Sequence, residues 1–183
     1  SGLFSQVYLT TDDDEYADVG AQAGASILRR DAQLSDDKAG LIDVLKSTMA
    51  TTPDWPEDFC MLLPNCPLRT AEDIIDFHDA YRAGDAPALL SVVSYGWTPP
   101  ERALQLGQGG LSFITPAAKY QKSQAFGETM CPSGAIYWAK SAALANADTL
   151  YVEGIYPHHM PWHRAIDIDD LYDFKQALAL RCA

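Results

Sequence analysis

Short apolar runs alternate with amphipathic stretches along most of the chain. Continuous apolar runs are typical of strands covered on both faces, whereas apolar residues three or four positions apart are typical of helices. Runs of the first kind predict strands at residues 7–10, 58–63, 88–95, 135–139 and 150–152. Helical spacing predicts helices over 14–24, 37–50, 70–84, 141–146 and 169–180. The alternation predicts an α/β domain with a mostly parallel sheet.

Two of the predicted helices begin with recognisable caps. Residues 70–73 (TAED) have the form of a capping box, with Thr70 as the cap. The acidic run 11–15 (TDDDE) precedes an apolar pattern at helical spacing that stops at Gly24. Acidic side chains in a first helical turn bind free amides and suit the helix dipole. We therefore interpret the acidic run as a helix start before considering it as a catalytic cluster.

The stretch 96–124 is rich in Gly and Pro and breaks the alternation, with a short hairpin predicted at 103–106 and 111–114. The chain has 183 residues, of which 48% are hydrophobic, and it contains no internal repeat. These features predict a single domain, 1–183, with a substantial core.

No apolar run is long enough to span a bilayer, so we expect no membrane partner.

Charge and cysteine content exclude some classes of function. The formal net charge is −12, which argues against non-specific binding of nucleic acid because such binding needs a basic surface. No two cysteines form a CxxC pair, so a zinc ribbon or a redox motif is not expected, and we predict a reduced, cytoplasmic chain. The histidine cluster at 158–163 lies among prolines and is interpreted as a loop rather than a metal site.

Residues 164–169 (RAIDID) carry the most chemical information. In an extended segment residues two apart point the same way, so Asp167 and Asp169 would present two carboxylates on one face. Two oxygen donors suit a Mg²⁺ ion that also binds substrate phosphates. The alternative is a strand end in which Asp169 or Asp170 caps the next helix. The spacing alone leaves both interpretations open.

A second candidate lies at a predicted strand-to-helix turn. Ligands of open α/β sheets bind beyond the carboxyl ends of the strands, which here are 10–14, 64–69 and 94–98. The second of these combines the cation Arg69 with Asn65. A cation and an amide at the start of a helix are a good place to hold an anion.

Several segments, taken in order, are similar to motifs of one enzyme family. They are SGLFSQVYLTTDDDEYADVGAQAGA, RRDAQLSDDKAGLIDVL, LLPNCPLRTAEDI, LLSVVS, KSQ, PSGAIYW and RAIDIDDLYDF. The third resembles the family pattern LQPTSPLRTAEDI. From Ser1 to about Leu178 the chain resembles the acylneuraminate cytidylyltransferases, which make CMP-activated nine-carbon sugar acids such as sialic, legionaminic and pseudaminic acids.

The resemblance implies a doubly wound, Rossmann-like nucleotide-diphospho-sugar transferase fold. It implies attack of the sugar's anomeric hydroxyl on the α-phosphate of CTP with release of pyrophosphate, catalysed by positioning and by charge neutralisation with Mg²⁺. By position, Asp167 and Asp169 would bind the metal and act in catalysis with Arg69. Partners would be CTP and a nine-carbon sugar acid, in a homodimer whose segment 104–126 reaches into the partner.

The resemblance also assigns binding residues. The nucleotide would lie near Asp12, Asp13 and Arg30. The sugar acid would lie near Asn65, Lys122, Gln124, Ser133, Gly134 and Tyr137. Lys122 and Gln124 would belong to a loop that binds sugar or forms the dimer.

The chain departs from the family pattern at several positions. The family opens with a strand and a basic loop of the form IPARGGSKRIPRKN that grips the triphosphate, and we expect the first βα unit to be missing here. Leu63 stands where the family has Gln, and Ser133 where it has Asn. Two alternatives therefore stay open. One is a catalytically degenerate homologue that binds sugar or forms dimers, and the other is a 3-deoxy-octulosonate cytidylyltransferase.

Overall fold

A computed structural model describes residues 1–35, 38–96 and 98–181 of the chain. The chain divides into two compact units, each assembled from three segments. Unit 1 comprises Ser1–Met61, Thr70–Leu89 and Tyr137–Tyr156, and unit 2 comprises Leu62–Arg69, Leu90–Ile136 and Pro157–Ala183. The single domain predicted from the sequence stays a prediction.

Strands and helices alternate for most of the chain. The strands are β1 (Tyr8–Thr11), β2 (Ser26–Arg29), β3 (Asp58–Met61), β4 (Ala88–Ser94), β5 (Leu104–Gly107), β6 (Gly110–Phe113), β7 (Met130–Lys140) and β8 (Tyr156–His159). The helices are α1 (Asp14–Gln22), α2 (Leu41–Thr51), α3 (Ala71–Ala83), α4 (Ser141–Leu144) and α5 (Leu171–Leu180). The α/β class predicted from the pattern is therefore confirmed. The start predicted for α2, at Asp37, lies outside the described residues.

In unit 1, β1 and β2 pair in parallel and are connected by α1, from Tyr8 opposite Ser26 to Thr11 opposite Arg29. The helical spacing of Tyr16 and Val19 predicted α1, yet both side chains are exposed and Ala17 is buried instead. A Cβ atom added to Gly20 would lie 2.4 Å from a methyl carbon of Leu9. The helix thus approaches the strands along its small residues, which leaves the large ones outside.

The core of the rest of unit 1 is aromatic. Strand β3 pairs with β7 in antiparallel register, with Cys60 opposite Trp138. Helix α3 buries Phe77 and Tyr81, and the Tyr81 ring lies 5.9 Å from that of Trp138. His78 of this helix is half-buried, and its ring lies 5.1 Å from that of Trp138. The continuous apolar run at β3 thus marked a strand, as predicted, although Phe59 is the one buried residue of its four and β3 lies at an edge of its sheet.

The capping box predicted at Thr70 is confirmed. The Thr70 hydroxyl accepts from the Asp73 amide, and the Asp73 carboxylate accepts from the Thr70 amide at 2.8 Å. Helix α5 has a second capping box, formed by Asp170 and Asp173. Capping by Asp170 was one of the two interpretations of the acidic segment before this helix. It leaves the side chain of Asp169 outside the box.

The larger sheet has the strand order β3-β7-β4-β8, and β5 and β6 form the predicted hairpin. Strand β7 runs antiparallel to β3, a detail that strand–helix alternation does not reveal. The strand predicted at 150–152 is wrong, because its backbone bonds locally, with the Val152 amide donating to the Leu150 carbonyl. The strand forms instead at Tyr156–His159, where a loop was expected; Pro157 is tolerated because β8 is an edge strand.

Among the described residues, none of the helices has the length and apolar content of a membrane-spanning segment.

Candidate functional site

Asp167 and Asp169 lie just before α5, on a segment fixed to the loop 62–69. The Ile168 amide donates to the Asn65 carbonyl at 2.9 Å. Both aspartates are exposed, whereas Ile166 and Ile168, which alternate with them, are half-buried. The alternation matches the face predicted from their spacing, so the two carboxylates form a pair at the surface of unit 2.

The surroundings of the pair favour a cation. Partial burial of the Asp167 carboxylate, and then the charge of Asp169, raise the pKa of Asp167, while a hydrogen bond from the Asn65 side chain opposes that rise. The charge of Asp169 thus disfavours ionisation of Asp167, and a bound cation would relieve that repulsion.

The donor set fits Mg²⁺. Within the described ranges no three His, Cys, Asp or Glu side chains are grouped as ligands for a metal. Mg²⁺ does not need such a group, because one or two carboxylates hold it together with water and substrate phosphates. The pair is therefore suited to an ion that arrives with a nucleotide rather than to a permanent structural metal.

Arg69 braces the loop that carries Asn65. Its Nη1 donates to the Leu63 carbonyl at 2.6 Å and to the Cys66 carbonyl at 2.7 Å. These are charge-assisted hydrogen bonds that hold the turn closed. The structure thus gives Arg69 a conformational role in the loop, next to the anion-binding role predicted from its position.

Ser133 and Gly134 lie in β7, close to the same loop. The Ser133 side chain is buried and its hydroxyl donates to the Ser91 hydroxyl at 2.8 Å. Gly134 has a φ of +68°, and an added Cβ would lie 2.9 Å from a methyl carbon of Leu63. The backbone of β7 at Gly134, rather than the Ser133 hydroxyl, therefore faces the loop 62–69.

Lys122 and Gln124 lie after the hairpin, beside the short 3₁₀ helix Ser123–Ala125, and both side chains are exposed. Arg102 organises this region. Its Nη2 donates to the Gln121 carbonyl at 2.8 Å, and its guanidinium lies 5.6 Å from the centre of the Phe126 ring. The predicted sugar-binding or dimer-forming loop is thus an exposed, locally braced segment.

The predicted nucleotide residues lie in unit 1. Arg30 donates through Nη2 to Asp12 at 3.1 Å and through Nε to the Ser35 hydroxyl at 3.0 Å. A backbone hydrogen bond, and then that from Arg30, hold the pKa of Asp12 below its usual value. The Asp13 carboxylate accepts from the Tyr16 amide at 2.9 Å and caps α1. The structure therefore joins Arg30 with Asp12, and it confirms the acidic run as a helix start.

Tyr137 is also in unit 1. Its side chain is buried and its hydroxyl donates to the Leu150 carbonyl at 2.6 Å. Burial raises the pKa of Tyr137 to about 12, so the phenol stays protonated at physiological pH. In this structure the hydroxyl is engaged within unit 1.

Two residues of the site were missed from the sequence. The sequence assigns no role to Cys66, although this residue is fully buried beside Asp167, and for Ser91 it indicates only a place in a strand. The signal that could have found Cys66 is its position inside the segment LLPNCPLRTAEDI, where the similar family pattern has Ser.

Comparison with known proteins sets these residues in context. No family model matches the chain. The chain is 26% identical to the N-acylneuraminate cytidylyltransferase of Escherichia coli O18:K1:H7, over 99% of this chain and 43% of that protein. It is 24% identical to the pseudaminic acid cytidylyltransferase of Campylobacter jejuni serotype O:2, over 98% of this chain and 79% of that protein. The chain is homologous to these cytidylyltransferases. It spans less than half of the N-acylneuraminate relative and about four-fifths of the pseudaminic acid relative.

Solved structures agree on the fold. A CMP:2-keto-3-deoxy-manno-octonic acid synthetase complexed with CTP superposes with a TM-score of 0.65 at 13% identity, over 99% of this chain and 82% of that one. A 4-diphosphocytidyl-2C-methyl-D-erythritol synthase from Anaerococcus prevotii gives 0.66 at 12% identity, over 98% and 80%. This cytidylyltransferase homologue therefore has the α/β nucleotidyltransferase fold that the sequence motifs implied.

Proposed function

We propose that the chain transfers a cytidylyl group from CTP to a sialic-acid-like, nine-carbon sugar acid. The anomeric oxygen of the sugar forms a bond to the α-phosphorus, the bond between the α- and β-phosphates breaks, and pyrophosphate leaves as the hydroxyl proton is released. The observation that carries the proposal is the exposed carboxylate pair Asp167 and Asp169, held against Asn65 in a homologue of cytidylyltransferases.

In this proposal the carboxylate pair would hold Mg²⁺. When bound, the ion would neutralise charge on the triphosphate and on the leaving pyrophosphate. The net charge of −12 makes such neutralisation necessary, because the protein as a whole repels a nucleoside triphosphate.

The other predicted residues position the substrates. Arg69 keeps the loop 62–69 closed, and Asn65 holds the segment that carries the pair. The Arg30–Asp12 pair would lie near the cytidine, with Asp13 at the adjoining helix start. On the sugar side we place Asn65, Lys122, Gln124, Gly134, Ser133 and Tyr137, with the last two acting through their backbone or through packing.

The proposal includes a cytoplasmic homodimer. The hairpin of β5 and β6 exposes large apolar side chains, notably Leu106 at 75% and Leu111 at 70%. Exposed apolar patches on a globular protein mark interaction surfaces. The same segment, 104–126, is the one that the family resemblance assigned to the partner contact.

The experiment that tests the proposal is isothermal titration of CTP, in the presence of Mg²⁺, into the chain, with Asp169→Ala as control. Binding at micromolar strength that is lost in the control supports the enzyme. An absence of binding contradicts it and favours the degenerate homologue that binds sugar or forms dimers.

The sugar acid is identified by pyrophosphate release. Sialic, legionaminic and pseudaminic acids would be compared with 3-deoxy-octulosonate at equal concentration. We expect turnover with a nine-carbon acid. Turnover with 3-deoxy-octulosonate alone would instead support a 3-deoxy-octulosonate cytidylyltransferase. The structural comparison supports that alternative only by a similarity of fold.

A further inference from the structure

The thiol of Cys66 lies between two parts of the proposed site. Cys66 is fully buried, and its Sγ donates to the Ser133 carbonyl at 3.3 Å. The same sulfur lies 3.9 Å from Oδ1 of Asp167. The Cys66 side chain therefore contacts both the carboxylate of Asp167 and the backbone of β7 at Ser133.

The contacts of Cys66 continue into the core of unit 2. The Ser133 hydroxyl donates to the Ser91 hydroxyl at 2.8 Å, and that hydroxyl also accepts from the Ile136 amide at 2.9 Å. Ser91 is fully buried. Buried hydrogen bonds of this kind are costly to leave unmade, so the chain of contacts fixes the positions of its members.

Asp167 needs such a support. Its side chain is exposed, and an exposed side chain changes rotamer rapidly unless contacts hold it. The buried Cys66 sulfur contacts this carboxylate from the interior of the unit. Residues that orient a metal ligand from behind commonly change metal affinity by about tenfold to a hundredfold when removed.

We propose that Cys66 is a positioning residue that holds Asp167 in the orientation required for Mg²⁺. It also fixes the distance between Asp167 and the backbone of β7 at Ser133 and Gly134. This inference rests on the proposed function, because it assumes that Asp167 binds the metal. It assigns no chemistry to the thiol itself, which is buried.

The test compares Cys66→Ala, Cys66→Ser and the matched control Cys131→Ala, a half-buried cysteine in the same unit. Binding of Mn²⁺, as a paramagnetic substitute for Mg²⁺, is measured by electron paramagnetic resonance on the full chain with CTP present, because the pair suits an ion that arrives with a nucleotide. A sample of Mn²⁺ and CTP without protein sets the baseline. We expect Cys66→Ala to weaken Mn²⁺ binding about tenfold. Cys66→Ser should stay within about twofold, because a hydroxyl keeps the donor and is the group found in the similar family pattern. Cys131→Ala should match the wild type.

Activity provides a second readout. In Cys66→Ala the KM for Mg²⁺ should rise, while kcat at saturating Mg²⁺ should change little. Lower melting temperature in Cys66→Ala with unchanged Mn²⁺ affinity would mean that the thiol only fills space, and would overturn the inference. The same holds if Cys66→Ser weakens binding as much as Cys66→Ala.

Asp167→Asn separates this inference from the proposed function. If Asp167→Asn abolishes Mn²⁺ binding and Cys66→Ala leaves it intact, the positioning role is wrong and the metal site stands. If the wild type binds no Mn²⁺ and Asp167→Asn changes nothing, the metal site is wrong and the role of Cys66 falls with it.

Discussion

Asp167 and Asp169 differ in their surroundings although the sequence presents them as a matched pair. Asp167 is held by Asn65 and contacts Cys66, whereas the backbone amide of Asp169 donates to Asp173 and its carboxylate is exposed. At this scale the site is thus asymmetric, with one carboxylate fixed by the fold and one placed by the start of α5.

Replacement of Asp169 should separate activity from stability. Because the Asp169 side chain is exposed, Asp169→Ala should change the free energy of unfolding by less than about 0.5 kcal/mol. Loss of one metal carboxylate should lower Mg²⁺-dependent kcat/KM by at least about 100-fold. The neighbouring cap variant Asp170→Ala is the control and should do the reverse, losing about 1 kcal/mol of stability but not turnover. Unchanged turnover in Asp169→Ala would remove the pair from the mechanism.

Gly134 is required by its backbone conformation and by Leu63. At a φ of +68° an alanine is strained by about 1–2 kcal/mol, and its Cβ would also meet Leu63 at 2.9 Å. Gly96 has a similar φ of +58° but open space around it. Urea unfolding should therefore show a larger loss of stability for Gly134→Ala than for Gly96→Ala. Equal losses would show that Leu63 moves aside at no cost.

At the scale of elements, caps and side-chain contacts hold helices to strands. Helix α3 begins at the Thr70 capping box and is fastened to β3 by the Tyr81 hydroxyl, which donates to Asp58 at 2.5 Å. Helix α1 is instead held by close packing of Ala17 and Gly20 on the strands. Local sequence specifies a helix cap better than helix packing, because the residues of a cap are contiguous. The residues that let a helix lie close to a strand are not contiguous with that strand.

The contact between Tyr81 and Asp58 should make stability depend on pH in the alkaline range. Burial, and then the hydrogen bond to Asp58, raise the pKa of Tyr81 above its usual value of 10.0. A raised pKa means that the folded state retains the proton longer. The stabilisation is then fully present below pH 10 and is lost as the pH rises towards the folded pKa.

We therefore expect Tyr81→Phe to cost about 2 kcal/mol at neutral pH, and the difference from wild type to shrink above pH 10. Thermal unfolding between pH 7 and pH 11 measures this difference. Tyr120→Phe is the control, since Tyr120 is 85% exposed, and should match wild type throughout. A difference that grows above pH 10 would contradict the assignment.

For the whole molecule, charge and exposed apolar surface are the dominant features. A net charge of −12 keeps copies of the chain apart, so a dimer needs an apolar contact strong enough to overcome the repulsion. The hairpin offers one, with Leu106 directly opposite Leu111 across its two strands.

Replacement of both leucines by an opposite-charge pair, Leu106→Lys with Leu111→Glu, should keep the hairpin paired and abolish the dimer. Sedimentation velocity at micromolar concentration should show a shift from dimer to monomer. Leu171→Glu, at an exposed position of α5, is the control and should remain dimeric. A monomeric wild type would contradict the dimer proposal.

Much of the fold could be predicted from local pattern. The apolar runs at β3 and β4 and the capping box before α3 are contiguous signals, and each was found within a few residues. Residues 150–152 show the limit of this approach, because their apolar composition suits a strand while their backbone bonds within a turn. The candidate site was predicted only as separate residues, since nothing local reveals that Cys66 meets Asp167, 101 positions away.

The sequence by itself determined the α/β class, the cap of α3, the acidic start of α1, and the spacing that puts Asp167 and Asp169 on one face. These depend on neighbours a few positions apart, and a chain's dihedral preferences and periodicity express them directly. Only the tertiary structure decided that β7 runs antiparallel to β3, that Arg69 hydrogen-bonds within its own loop, and that Cys66 contacts both Asp167 and Ser133. Strand direction and the contacts of Cys66 depend on packing between residues far apart in the sequence. The hydrogen bonds of Arg69 depend on how its loop folds. A local sequence pattern encodes neither the packing nor the loop conformation.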